Sequence, residues 1–217
     1  MILSHKYRFI FLKTNKTAGT SVEIALSKFC GAEDIISPIE PTDERIRQSL
    51  GYRGPQNHEP VPLTEYGLLD FGRLALRGWR KSRFYNHMSA REILDLVGRE
   101  IWDSYYKFCF ERNPCDRLIS LYYWHNRKKS RWPRRRRHYA TMTDFLDSDA
   151  PRILKRWGID LYSVDGRVAV DRVCLYENLG AELEALTERL ALPEKLELPR
   201  TKSAHRKDRR DPRAVLT

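Results

Sequence analysis

The sequence predicts an α/β fold, a central parallel β-sheet flanked by helices, on three observations. Apolar runs suited to buried strands recur at Lys6–Leu12, Tyr105–Phe110 and Val170–Tyr176. Each run is apolar on both faces, and each passes directly into a helix signal. Strands buried on both sides and alternating with helices are the pattern of a parallel sheet with helical layers. No internal repeat interrupts that reading.

The elements follow in order along the chain. The first strand ends at a loop of small and polar residues, Lys13 to Ser21, before the amphipathic run Val22–Phe29. In that run Val22, Ala25, Leu26 and Phe29 recur at helical spacing, and Cys30-Gly31 supplies a stop. Residues 31–82 form a long excursion punctuated by Pro38, Pro41, Pro55, Pro60 and Pro62, with short elements at Asp43–Leu50 and Asp70–Arg77. Order returns at Arg83–Tyr85. His87 then stands just before a capping box, Ser89 to Glu92, and a helix carrying Ile93, Leu94 and Val97. After the second strand, Asn113 is placed to cap a helix and Pro114 suits its first position. A weaker helical stretch covers Met142–Trp157. Asp165-Gly166 is a hairpin turn pair. The last helix carries Leu179, Leu183, Leu186 and Leu190, and Leu192-Pro193 closes it.

The 217 residues are expected to form one domain, 1–217, with the excursion at 31–82 and a basic tail at 200–217. A hydrophobic content of 41% allows a packed core, and a formal net charge of +11 points to a polyanionic partner. Cys30, Cys109, Cys115 and Cys174 form no CxxC pair and read as reduced thiols, without zinc-ligand spacing. The segment Met1–Lys13 is too short and charged for a secretory signal, and no run approaches the length of a membrane span. A soluble, cytoplasmic protein is the expectation.

Two clusters carry chemistry. The loop Lys16-Thr17-Ala18-Gly19-Thr20-Ser21 lies between strand and helix, where free backbone N–H groups and a helix N-terminus favour an anion. It is a poor match to a nucleoside-triphosphate loop, GxxxxGK[ST], because Lys16 precedes Gly19 instead of following it. The second cluster is Arg112-Asn113-Pro114-Cys115-Asp116-Arg117-Leu118-Ile119-Ser120-Leu121-Tyr122. Arg112 ends a strand and Ser120 lies about two turns into the next helix, so both can address one phosphate beside the first loop. A local ion pair between Arg112 and Asp116 is the plainer alternative.

Taken together, the clusters resemble two motifs of sulfotransferases. The loop at 16–21 resembles their 5′-phosphosulfate loop, and Arg112 through Tyr122 matches every fixed position of their 3′-phosphate motif, RNPxDRxxSxY. Val170-Asp171-Arg172-Val173 leading to Tyr176-Glu177-Asn178-Leu179 is similar to a strand-to-helix segment of the carbohydrate-type, bacterial-like members. The resemblance implies a P-loop NTPase-like fold, 3′-phosphoadenosine 5′-phosphosulfate as donor, a carbohydrate or other hydroxyl-bearing acceptor, and no required metal. The transferred sulfuryl group carries less charge than a γ-phosphate, so lysine and backbone donors can suffice. It further implies that Lys16 contacts the bridging oxygen and 5′-phosphate, that Thr17, Ala18, Gly19, Thr20 and Ser21 complete the 5′ cradle, and that Arg112 and Ser120 hold the 3′-phosphate. Arg200, Lys202 and Arg206 are implied to close over the nucleotide. His87 matches a histidine of carbohydrate-type members and is the candidate base, since a neutral imidazole can accept the acceptor's proton. Glu23 and Glu59 are the runners-up.

The basic run Arg127–Arg137 is either a solvated face or a docking strip for an acidic glycan or anionic surface. Nucleic acid is disfavoured there, because no groove-reading motif accompanies the charge. The rival readings are a P-loop kinase or NTPase, and a basic nucleic-acid- or surface-binding protein with a degenerate nucleotide site.

Overall fold

The computed structural model describes residues 1–78, 80–126 and 138–199. Its strands and helices run β1 (Ile2–Ser4), β2 (Phe9–Leu12), α1 (Gly19–Ser27), β3 (Ile35–Ile36), α2 (Pro41–Ser49), α3 (Leu68–Arg77), α4 (Ala90–Ser104), β4 (Tyr106–Glu111), α5 (Pro114–His125), α6 (Met142–Leu146), α7 (Ile153–Arg156), β5 (Ser163–Val164), β6 (Arg167–Val168), β7 (Arg172–Leu175) and α8 (Leu179–Arg189). The main sheet has the order β3-β1-β2-β4-β7.

That sheet is mixed, which corrects the expectation of a parallel one. β2, β4 and β7 are parallel, whereas β1 pairs antiparallel with both β2 and β3. The cause lies in the run expected to be one strand from Lys6 to Leu12. The Asp34 carboxylate accepts the N–H groups of His5 (2.7 Å), Lys6 (3.1 Å) and Gly31 (2.8 Å), and the Ser4 hydroxyl at 2.8 Å. These bonds hold residues 5–8 in a turn, with Arg8 at φ 52°, so β1 folds back on β2. A carboxylate 26 residues or more downstream of that turn is invisible to local periodicity.

Alternation along the strands supplies two cores. Phe9 and Phe11 join Phe108 and Phe110 on one face, packed with Val22 and Leu26 of α1 and Leu183 and Leu186 of α8. Ile10 and Leu12 join Cys109 on the other, with Met88 and with Ile93, Leu94 and Trp102 of α4. This is the two-residue period of a strand buried on both sides. A third cluster gathers Leu121 of α5, Tyr139 and Phe145 of α6.

The other expected elements are present, with shifted limits. Ser89 and Glu92 form the anticipated capping box, the Asn113 carboxamide oxygen accepts the Cys115 N–H at 2.9 Å, and Asp165 and Gly166 both take positive φ in the β5–β6 turn. The weak helical stretch at 142–157 divides into α6 and α7 around a 3-10 turn containing Pro151, which cannot donate in a continuous helix. Arg83–Tyr85 is not a strand of the sheet. It runs beside the excursion, with Arg83 and Phe84 N–H groups bonded to the carbonyls of Glu59 (2.8 Å) and His58 (3.1 Å). Cys30, Cys109 and Cys174 are buried, and all four cysteines are unbridged.

The parallel trio positions the site. With β2, β4 and β7 in parallel register, the segments after Leu12, Glu111 and Leu175 emerge at one edge, where parallel sheets bind ligands.

Candidate active site

The loop after β2 is tied down from below and open above. The Thr14 hydroxyl donates to the Phe110 carbonyl of β4 and lies 2.8 Å from the Thr17 hydroxyl. The Asn15 N–H donates to the Trp157 carbonyl at 3.0 Å. Lys16 and Ala18 take left-handed conformations, φ 67° and 61°, so the backbone curls and turns successive N–H groups to one side. Among the described residues, the N–H groups of Thr17, Ala18, Gly19 and Thr20 have no hydrogen-bond acceptor, and Gly19 opens α1. A Cβ on Gly19 would stand 2.8 Å from Lys13 Cγ and 3.3 Å from the Thr14 carbonyl, so glycine is required by the close approach. N–H groups so placed at a helix N-terminus are suited to an anion. The Thr17 side chain is buried and turned inward to Thr14, so its N–H, and not its hydroxyl, faces the cradle.

Arg112 follows β4 and reaches this loop. Its Nη1 donates to the Lys16 carbonyl at 3.3 Å, its Nε donates to Asp116 Oδ2 at 2.5 Å, and its guanidinium lies 4.3 Å from the Tyr176 ring centroid. The ion pair with Asp116 that sequence alone allowed is therefore present, and it orients the fork. The Asn113 N–H in turn donates to Glu177 at 2.7 Å, joining the segment after β7 to the same edge. Along α5, Asp116, Ser120 and Trp124 recur at i, i+4 spacing and share one face. Asp116 holds Arg112, and Lys16 Nζ lies 5.6 Å from the Trp124 ring centroid. Ser120 thus stands on the helix face between two residues tied to the loop.

His87 adjoins the loop at its start. Its Nδ1 lies 2.9 Å from the Lys13 carbonyl. A carbonyl only accepts, so Nδ1 carries the hydrogen and Nε2 keeps its lone pair. Burial, and then the Lys13 cation, lower the imidazole pKa to about 3, which keeps the ring neutral. Lys13 is itself buried and pairs with Glu23 at 2.8 Å. Glu23 is fully buried and also faces Arg47 (3.6 Å), the Ser37 hydroxyl (3.3 Å) and the amino group of Met1 (3.3 Å). Burial pushes its carboxyl up, but Lys13, the terminal amine and Arg47 outweigh that and hold it down at about 2. This removes Glu23 as a candidate base, because a carboxylate sealed at 0% exposure and paired with three cations is out of an acceptor's reach. Glu59 pairs with Arg83 at 3.6 Å in the excursion.

The family model described as "Sulfotransferase family" matches residues 1–214. The chain belongs to the sulfotransferase family. An uncharacterised protein of Archaeoglobus fulgidus is similar to it, with 28% identity over 115 residues, covering 51% of this sulfotransferase and 88% of the relative. No solved structure matches.

Within this sulfotransferase, Lys16 to Ser21, Arg112, Ser120 and His87 lie in segments meeting at one sheet edge or linked to the loop leaving it. Arg200, Lys202, Arg206 and the run 127–137 lie outside the described residues. Sequence reasoning missed three contributors: Lys13, whose carbonyl orients His87; Trp124, beside Lys16; and Trp157, whose carbonyl anchors Asn15. Trp124 had a signal, its i+4 spacing from Ser120. The Lys13 and Trp157 carbonyls had none, since backbone acceptors leave no mark on composition. No helix among the described residues is long and apolar enough to cross a membrane.

Proposed function

We propose that this sulfotransferase transfers a sulfuryl group from 3′-phosphoadenosine 5′-phosphosulfate to a hydroxyl, with a saccharide or glycoconjugate as acceptor. The observation that carries the reading is the hydrogen bond from Arg112 to the Lys16 carbonyl, which joins the 3′-phosphate motif to the cradle loop. One ligand carrying anionic groups at both its 5′ and 3′ positions suits that juxtaposition. The N–H groups of Thr17, Ala18, Gly19 and Thr20 fit its 5′ end, with Ser21 behind them. Arg112 and Ser120 fit the 3′-phosphate, Arg112 through its planar fork. The strand–loop–helix unit β2–α1 is read as P-loop-like on the same grounds. Arg200, Lys202 and Arg206 are proposed to join the nucleotide site from the tail.

In the proposed reaction the acceptor oxygen bonds to sulfur as the bond from sulfur to the bridging oxygen breaks. Adenosine 3′,5′-bisphosphate leaves with that electron pair. Lys16 and the cradle N–H groups stabilise the charge growing on the bridging oxygen and 5′-phosphate. The acceptor proton passes to His87 Nε2, while Nδ1–H stays on the Lys13 carbonyl and fixes the ring. The residues supply position and electrostatics, which suffice for in-line transfer without a covalent enzyme intermediate. The carbohydrate acceptor rests on the similarity of residues 170–179 to carbohydrate-type members.

Calorimetry tests the donor. Micromolar binding of adenosine 3′,5′-bisphosphate in the absence of magnesium, weakened about 10-fold or more by Arg112→Ala, is expected. Magnesium-dependent preference for ATP would instead indicate a kinase-like site. Labelled donor offered to a panel of saccharides then tests the acceptor.

A further inference from the structure

The helix α3, inside the long excursion, is turned inside out. Its acidic residue is half-buried on the other side: Asp70 accepts the Gly67 N–H at the helix start at 3.3 Å and pairs with Lys81 at 3.4 Å, while Phe71, 46% exposed, lies against Tyr66 at 5.6 Å between centroids. Three of its four leucines face outward, Leu74 being half-buried. Leu68 is 91% exposed, Leu69 79% and Leu76 73%, whereas an apolar helix stripe ordinarily faces a core. At about 100° per residue, Leu68, Leu69, Gly72 and Leu76 fall within about 100° of arc, so these three leucines form one continuous face.

What covers this face is indicated by the charge around it. Between Leu63 and Arg83 the chain carries five cations (Arg73, Arg77, Arg80, Lys81 and Arg83) against two carboxylates, Glu65 and Asp70. Arg73 is exposed beside the leucines, and Arg80 is exposed just beyond the helix end. A second copy of this chain meeting α3 face to face would set this local excess of positive charge against itself. An anionic surface would be attracted, and a fluid hydrocarbon layer accepts a convex leucine face without needing a matching groove. Leucine, phenylalanine and tryptophan combined with arginine and lysine, as in Leu68 to Lys81, is the composition of helices that lie in a bilayer interface.

We propose that α3 docks this protein on an anionic membrane surface, with Leu68, Leu69 and Leu76 entering the acyl boundary and the flanking arginines and lysines meeting acidic headgroups. The proposal is independent of the donor and acceptor assignments. It places the excursion against the bilayer.

The test uses the full chain in flotation with vesicles of phosphatidylcholine alone and with about one lipid in three replaced by phosphatidylglycerol. Binding is expected on the anionic vesicles only. The variant Leu68→Ser/Leu69→Ser/Leu76→Ser is expected to lose about 10-fold or more of that binding, because three apolar insertions are removed. Its circular dichroism and thermal midpoint should match wild type, since the three side chains are exposed. Two results would overturn the proposal. One is equal binding by the variant and wild type, which would assign attachment to charge elsewhere, including 127–137. The other is absence of vesicle binding, whether or not a concentration-dependent dimer lost in the variant shows that a second copy covers the face.

Discussion

His87 makes a quantitative prediction about stability and pH. Its imidazole has a pKa of about 3 in the folded protein against an ordinary value of 6.5, because burial and the Lys13 cation oppose its charge. The unfolded chain therefore takes up a proton at this residue as the pH falls through 6.5, and the folded chain does not until about 3. Stabilisation by neutral His87 is complete above 6.5 and is lost progressively as the pH falls towards 3. Between about pH 8 and about pH 5 the loss is about 2 kcal/mol, from RT times the logarithm of the ratio of the two protonation terms. Urea unfolding of wild type and His87→Gln at both pH values isolates it. Wild type should lose about 2 kcal/mol more than the variant on acidification, and the difference cancels the fixed cost of the substitution. The His87 NMR resonance, identified by its absence in the variant, should stay unshifted over that range. Equal acid sensitivity of the two proteins, or an imidazole titrating near 6.5, would refute the half-buried, neutral ring. The fixed Nδ1–H tautomer on which the proton-transfer role depends would then fall with it.

Three further outcomes follow from the same site. Glu23→Gln leaves the buried cations of Lys13 and Arg47 without their shared carboxylate and should cost about 3–5 kcal/mol, a fall of about 6–20 °C in Tm. A loss below about 1 kcal/mol would show that these charges are solvated. Gly19→Ala drives a Cβ to 2.8 Å from Lys13 Cγ, on a side chain that Glu23 prevents from yielding. Destabilisation of about 1–3 kcal/mol, with weaker binding of adenosine 3′,5′-bisphosphate by calorimetry, is expected. Lys16→Ala should lower kcat for sulfuryl transfer by about 10²–10³. Turnover within a few-fold of wild type would remove Lys16 from the role of stabilising the leaving group.

Local sequence determined the elements that depend on neighbouring residues. The capping box at Ser89 and Glu92, the Asn113-Pro114 helix start, the Asp165-Gly166 turn and, with shifted limits, the apolar strands expected at Lys6–Leu12 and Tyr105–Phe110 were legible, because caps, turns and periodicity act over a few residues. The two clusters proposed to address anions were legible as a strand-to-helix loop and a helix start for the same reason. Distant pairing decided the rest. Asp34 reaches back to residues 4–6 and makes the start of the expected strand Lys6–Leu12 a turn, before which β1 folds back antiparallel, making the sheet mixed. Glu23, a candidate base when read alone, lies sealed beneath the loop because Lys13, Ser37 and Arg47 converge on it from three separate segments. The Lys13 carbonyl sets the tautomer of His87, 74 residues away in sequence. The outward face of α3 was hidden as well, since the sequence marks only a short element at Asp70–Arg77 and the tertiary structure decides which of its sides is covered. Residue type and spacing specify what a segment can do locally. Which charges lose their water, and which carbonyls meet which donors, is settled when the segments pack.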